Sequence, residues 1–441
     1  MASPPEPAGA AAPPGRRILA RNSLWNLIGY GLPLVVAVFA VPPLIRGLGT
    51  DRFGVLTLAW VMVGYLSLFD LGVGRALTRA IAERRGAGRG DDLAAVTWTA
   101  LALAFGLGLA GGAAMLALAG PIAGALPRVP PGLRGELRGA VAWLGLSLPF
   151  VLGTAGLRGI LEAHQRFGVA TAIRVPMGVY NFLAPLAVLP WSRDLGAIVG
   201  VLAVGRLAAW AAHLAAAWAV MPELRRFRLA PARAAGLLRE GGWMSVSNVI
   251  GPVLVYVDRF LLGAFASLSE VAWYATPFEL VTRLLVIPQA LAGVLFPAFA
   301  SDHGARAERP DALYARGVLG VLVVLFPCAL LLSAFAPEVL RLWVGATFAA
   351  HGTVILRWLA AGVVLNAVAH VPFARLQAAG RSRHTAQLHL VETPLYLAGA
   401  TWAIRALGAR GAALAWTTRV ALDAVALFAL AAAAAPEAPE A

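Results

Sequence analysis

The sequence predicts an all-α polytopic membrane protein with about 12 transmembrane helices in two six-helix lobes. Three observations carry this. First, 60% of the 441 residues are hydrophobic and 13% are charged, with a mean hydropathy of +0.76, where soluble domains are about half apolar and a quarter charged. Second, the apolar residues fall in blocks of about 20, the length a helix needs to cross a ~30 Å hydrocarbon core. Third, arginine is unevenly shared between alternate connections. Helices are the expected spanning element because backbone groups in lipid have to be satisfied within their own segment. The ten-residue alternation of a membrane barrel is absent from the sequence.

Residues 1–20 open with an Ala/Pro/Gly-rich stretch and read as a disordered cytoplasmic N-terminus. The first apolar stretch is too long for a signal-peptide core and has no convincing cleavage site, so it reads as a retained span. Spans are expected near 23–45, 53–74, 94–120, 139–160, 170–191 and 196–221, which make an N-lobe over 21–221. A cytoplasmic linker follows at 222–240. Further spans near 242–264, 271–299, 315–335, 352–373, 384–404 and 411–433 make a C-lobe over 241–433, and 434–441 is a tail. No connection is long enough for a separate domain.

All 36 basic residues are arginine, against 22 acids, for a formal net charge of +14. Such a balance can signal nucleic acid, but the arginines lie in short loops between spans, where they orient the protein. One set of connections, including Arg84–Arg85 and Arg225–Arg226, holds 22; the alternate set holds 9. The basic side is cytoplasmic, which places both termini in the cytoplasm of a cell whose inner membrane holds the chain. The lone Cys328 sits in an apolar run and cannot form an intrachain disulfide. The 7 His are scattered, no Cys/His cluster has metal-ligand spacing, and no catalytic set or cofactor motif stands out.

The chain weakly repeats itself. Leu161 pairs with Leu376 and Arg166 with Arg381 at an offset of 215; Trp25 pairs with Trp243 and Gly31-Leu-Pro33 with Gly251-Pro252 at a similar offset. With an even number of spans in each lobe, the repeats run parallel and are expected to meet at a substrate site near the midplane.

The informative residues are the charges inside spans, each costing from ~2.5 kcal/mol upward at the bilayer centre unless it faces water or a partner. They are Asp70, Arg206, Asp258, Arg259, Glu279, Arg283, Arg357, Glu392, Arg419 and Asp423. Glu279 and Arg283 share a helix face at i, i+4, as do Arg419 and Asp423. These pairs either line a cavity or lock helices together. Arg206 has no partner near in sequence and requires one across the bundle, or an anion. Asp258-Arg259 and Asp70 lie towards span ends, where water reaches. Asn26, Asn181, Asn248 and Asn366 are expected to tie helices, and the span prolines to bend them.

Arg46-Gly-Leu-Gly49, Phe53-Gly54 and Asp70-Leu-Gly72 followed by a basic loop, then Asp258-Arg259, Leu262-Gly263, Tyr274, Pro297 and Gly380-Arg381, occur here in order. In these marks, which cover both halves, the chain resembles the bacterial polysaccharide-biosynthesis (O-antigen type) flippases of the multidrug/oligosaccharidyl-lipid/polysaccharide exporter superfamily. The resemblance implies two six-helix lobes around a central cavity and an undecaprenyl-diphosphate-linked oligosaccharide as cargo, flipped in the lipid bilayer alongside other polysaccharide assembly proteins and without nucleic acid. It carries over Asp258 and, by its place on span eight, Arg283.

Arg206, Arg283, Arg357 and Arg419 are then the cavity candidates for cargo phosphate, because arginine meets phosphate bidentately. Asp258, Glu279 and Glu392 are the candidates for coupling to H⁺ or Na⁺. An ion-coupled multidrug exporter of the same fold is the alternative. It would favour an acidic, aromatic cavity, and the five Arg and five acids inside spans leave this open. A membrane polymerase or ligase would need a sizeable outward loop with catalytic residues; the longest, 121–138, has no His and one acid.

Overall fold

The computed structural model describes residues 16–66, 77–78, 81, 93–125, 129–164, 166–234, 254–286, 288, 310–378 and 381–433. No strand occurs among them. The first half holds α1 (Arg16–Leu48), α2 (Thr50–Leu66), α3 (Leu93–Ala125), α4 (Pro131–Ala163), α5 (Phe167–Val188) and α6 (Leu195–Val220). Short 3-10 turns at Pro222–Arg225 and Pro231–Arg233 follow. The second half holds α7 (254–265), α8 (Leu268–Thr282), α9 (Pro310–Ala334), α10 (Ala336–Val344), α11 (Ala346–Ala378), α12 (Ser382–Leu407) and α13 (Ala409–Ala432).

Every one of the 12 expected spans contains a helix, and α10 is the addition. α1 starts at Arg16, inside the stretch expected to be disordered, because Arg16–Ala20 continues its helical run. The expectations for Asp70 and the basic loop after it, Asn248, Pro252, Pro297, Gly380 and the tail lie outside the described residues, as do the side chains of Trp25 and Asn26.

The two halves use the same packing plan. In the first, α3 packs on α4, α4 on α6, α5 on α6 and α2 on α4. In the second, the equivalent spans pair alike: α9 on α11, α11 on α13, α12 on α13 and α8 on α11. Among the described residues, the helices long and apolar enough to cross a membrane by length and composition are α3, α4, α6, α9, α11 and α13. Their outer faces carry exposed Leu, Val and Phe, such as Leu319, Val323 and Phe326 on α9, as lipid-facing helices do.

Small residues let the apolar helices approach closely. A Cβ on Gly112 of α3 would lie 2.4 Å from the Gly145 carbonyl oxygen of α4, so only glycine fits there. Helix starts are capped: the Asp194 side chain accepts from the Ala197 amide (2.9 Å) at α6, and Ser267 accepts from the Glu270 amide (3.2 Å) at α8. Arg52 of α2 meets Glu136 of α4 with two parallel hydrogen bonds, Nε to Oε2 at 2.8 Å and Nη2 to Oε1 at 2.6 Å.

The halves join along α2, which packs on α8. A Cβ on Gly54 would lie 2.0 Å from the Leu268 carbonyl oxygen, and the Ser269 hydroxyl donates to the Asp51 carboxylate. A second bridge runs from α10 to α1: Trp343 Nε1 donates to the Val38 carbonyl at 2.8 Å. Pro42, four residues after Val38, has no N–H to offer that carbonyl. The other half of the molecule supplies the missing donor.

Candidate functional site

A cavity of ≈ 430 Å³ lies between the halves. Its walls come from α1, α2, α5, α6, α7 and α8, with Trp343 of α10.

Four charged side chains line it: Arg206, Arg259, Glu279 and Arg283. Arg206, in the middle of α6, donates from Nη2 to Asn181 Oδ1 of α5 at 2.8 Å, which satisfies both the need for a partner across the bundle and the tying role expected of Asn181. Its Nε has no hydrogen-bond partner. Glu279 uses both oxygens. Oε2 accepts from Arg283 Nη2 (2.9 Å), the i, i+4 contact read from spacing, and Oε1 accepts from Arg259 Nη2 of α7 (3.0 Å). Arg259 is almost fully buried, its guanidinium 4.9 Å from the ring centroids of both Tyr256 and Phe278. Arg283 sits where α8 tightens into the 3-10 turn Arg283–Leu285, and is 45% exposed.

The donors around this cavity outnumber the acceptors. Arg206, Arg259, Trp60 and Thr276 line it, and behind its surface their buried Nε, Nε, Nε1 and Oγ1 atoms lack a hydrogen-bond partner. Trp60 stands in an aromatic row between Phe53 and Phe182, with centroids 6.1 and 5.1 Å away. Such a surface fits a ligand rich in oxygen acceptors with apolar faces to stack.

The remaining expected site residues lie elsewhere. Asp258 is fully buried inside the second half rather than reached by water: its carboxylate accepts from the Arg259 amide (2.7 Å), from the Tyr274 hydroxyl and from the Tyr396 hydroxyl at 3.5 Å. Arg419 does not face the central cavity. It lies 8% exposed beside a separate groove of ≈ 420 Å³ between α12 and α13. There it pairs with Glu392 at 3.5 Å, not with Asp423, which faces His389 at 3.5 Å.

His389, Glu392 and Asp423 bring ligand atoms within 4.8 Å of one another, a grouping that spacing on two different helices hid. The Arg419 guanidinium already supplies the positive charge at that cluster. Arg357 is exposed on α11, and its Nε donates to the Ser333 carbonyl of α9 at 3.1 Å. Of the four arginines expected at the cavity, Arg206 and Arg283 line it and Arg357 and Arg419 do not. Arg259, which spacing left as a span-end residue, joins them.

Known proteins share this sequence and architecture. Residues 19–303 match the sequence profile of the family described as polysaccharide biosynthesis protein. Over 409 residues the chain is 29% identical to a Shigella flexneri protein named "Putative O-antigen transporter", covering 92% of this chain and 96% of that one. Two solved structures share the fold. One is a multidrug resistance MATE family transporter of the MOP superfamily in an inward-facing conformation, with TM-score 0.76, 15% identity, and 92% and 97% of the two chains covered. The other is a MOP superfamily transporter from Pyrococcus furiosus, with TM-score 0.65, 16% identity, and 94% and 95% covered. The match to the family profile spans well over half of the 441 residues, and the chain belongs to the polysaccharide biosynthesis protein family.

Proposed function

We propose that this multi-pass protein is a flippase that moves undecaprenyl-diphosphate-linked oligosaccharide units across the cytoplasmic membrane by alternating access. The carrying observation is the cavity's charge: three guanidiniums against one carboxylate line it, with Trp60 beside them. A diphosphate presents the oxygens that arginine holds bidentately, and a sugar presents hydroxyls and a face for Trp60. The family match and the name of the Shigella flexneri relative point the same way.

The multidrug exporter alternative loses ground on the same observation. An organic cation would meet a surplus of positive charge here. A polymerase or ligase loses the loop it would need, since 121–125 belong to α3 and 131–138 to α4.

In this reading the sugar-diphosphate head crosses through the cavity while the lipid tail stays in the bilayer. The halves part at one membrane face as they close at the other, and cargo and ion bias the two states by binding them unequally. H⁺ or Na⁺ is the coupling ion, with Asp258 and Glu392 in the second half as the carboxylates that respond to it. Both termini lie in the cytoplasm, and other polysaccharide assembly proteins receive the cargo.

The test is a deletion strain analysed for its lipid-linked intermediates. Repeat units should accumulate on the cytoplasmic face of the membrane. Retention of toxic cations with normal surface polysaccharide would instead establish the drug-exporter reading.

A further inference from the structure

Glu279 is the one carboxylate in a cavity that otherwise offers donors, and it is not spread over that surface at random. One oxygen lies 3.0 Å from Arg259 and the other 2.9 Å from Arg283. It therefore occupies the space between two guanidiniums that a phosphate would occupy, and in the same manner, one oxygen to each. The surroundings favour an anion there. Arg259 is 2% exposed and held between two aromatic rings, and the carboxylate of its neighbour Asp258 is engaged by the Arg259 backbone amide and two tyrosines rather than by the guanidinium. A guanidinium so buried cannot stand without a counter-charge.

A carrier also has to return empty. Without cargo, the cavity would pass through its closed intermediate with two unpaired arginines facing low-dielectric walls, where uncompensated charge is most costly. We propose that Glu279 is an internal stand-in for the cargo's phosphate: it bridges Arg259 and Arg283 while the cavity is empty and yields both to the diphosphate when cargo enters. This rests on the anionic-cargo reading above. It assigns Glu279 a role opposite to that of a cargo ligand. The side chain competes with cargo for affinity and makes turnover possible.

Glu279→Gln separates this from a purely structural pair, because the amide keeps the shape and gives up the charge. The full chain, purified in detergent, is titrated with farnesyl diphosphate as the probe and farnesol as the control, and binding and thermal midpoint are both read. The variant should melt lower than wild type without probe, recover on adding farnesyl diphosphate, and bind it about tenfold more tightly or better, since one charge-assisted contact no longer has to be displaced. In vesicles, export by the variant should slow despite the tighter binding. Equal or weaker binding by the variant, with wild type binding normally, overturns the stand-in role and leaves the flippase reading intact. If neither protein prefers the diphosphate to farnesol, the anionic-cargo reading fails and this inference with it.

Discussion

Arg206 illustrates how far one residue can be read. Its isolation in an apolar span required a partner elsewhere, and the partner is Asn181 on the neighbouring helix. What spacing cannot show is that Arg206 lines the cavity between the halves. Lysine would keep the charge and lose the planar fork. Arg206→Lys is expected to lower export by about tenfold, the worth of one charge-assisted hydrogen bond, as measured by surface polysaccharide per unit of protein. Wild-type export would reduce Arg206 to a helix tie.

Arg283→Glu reverses the sign at the cavity's most accessible guanidinium and sets two carboxylates four residues apart. Surface polysaccharide should disappear while the membrane content of the protein stays normal. The i, i+4 pair was legible because helical periodicity puts both ends on one face. The Arg259–Glu279 contact was not, since it joins two helices 20 residues apart in sequence. For the same reason the five-to-five balance of in-span charges said little about cargo. Only the fold separates the four that meet in the cavity from those at Arg357 and at the Glu392–Arg419 groove.

At the scale of the element, the long apolar spans were legible in position, although α3 and α4 run on into the expected connection 121–138, and the short amphipathic helix was missed. Ala336–Val344 reads in sequence as a connection, because nine residues are too few to span a membrane. Its signal is present nonetheless: Ala336 and Leu340 fall on one face and are buried, while Glu338, Arg341 and Leu342 are exposed. This helix places Trp343 against α1. Trp343→Phe keeps an aromatic ring, smaller than indole, and removes the donor to the Val38 carbonyl. The expected loss is about 1 kcal/mol, read as a lower unfolding midpoint of the full chain in detergent. A Pro42→Ala background should erase most of that loss, because replacing the proline restores a backbone amide to the same carbonyl.

Between α3 and α4 the contact is of backbone on backbone. Gly112→Val would push the helices apart and should destabilise by about 1–3 kcal/mol, as overpacking does, by the same measurement. No periodicity argument singles out Gly112 among 47 glycines.

The whole molecule repeats one packing plan twice, and the sequence showed this only through a few matched residues in one loop pair and at the openings of the two halves. The reason is physical. Helix pairing is conserved by small and apolar residues of many kinds, so the plan persists where identities do not. The halves meet where α2 passes α8, at the ends that the arginine bias assigns to the non-cytoplasmic side. Cysteines at Asp51 and Ser269, whose side chains touch, should therefore form a disulfide that halts export and is relieved by reductant. Continued export by the cross-linked protein would show that the halves do not separate there.

Gly54 on the same seam has a sharper consequence. The Leu268 carbonyl oxygen sits where its side chain would begin, so a hydrogen atom is all that fits between the halves in this arrangement. One added methyl would act as a doorstop. In Gly54→Ala the resting population would shift towards molecules whose halves are parted at that end.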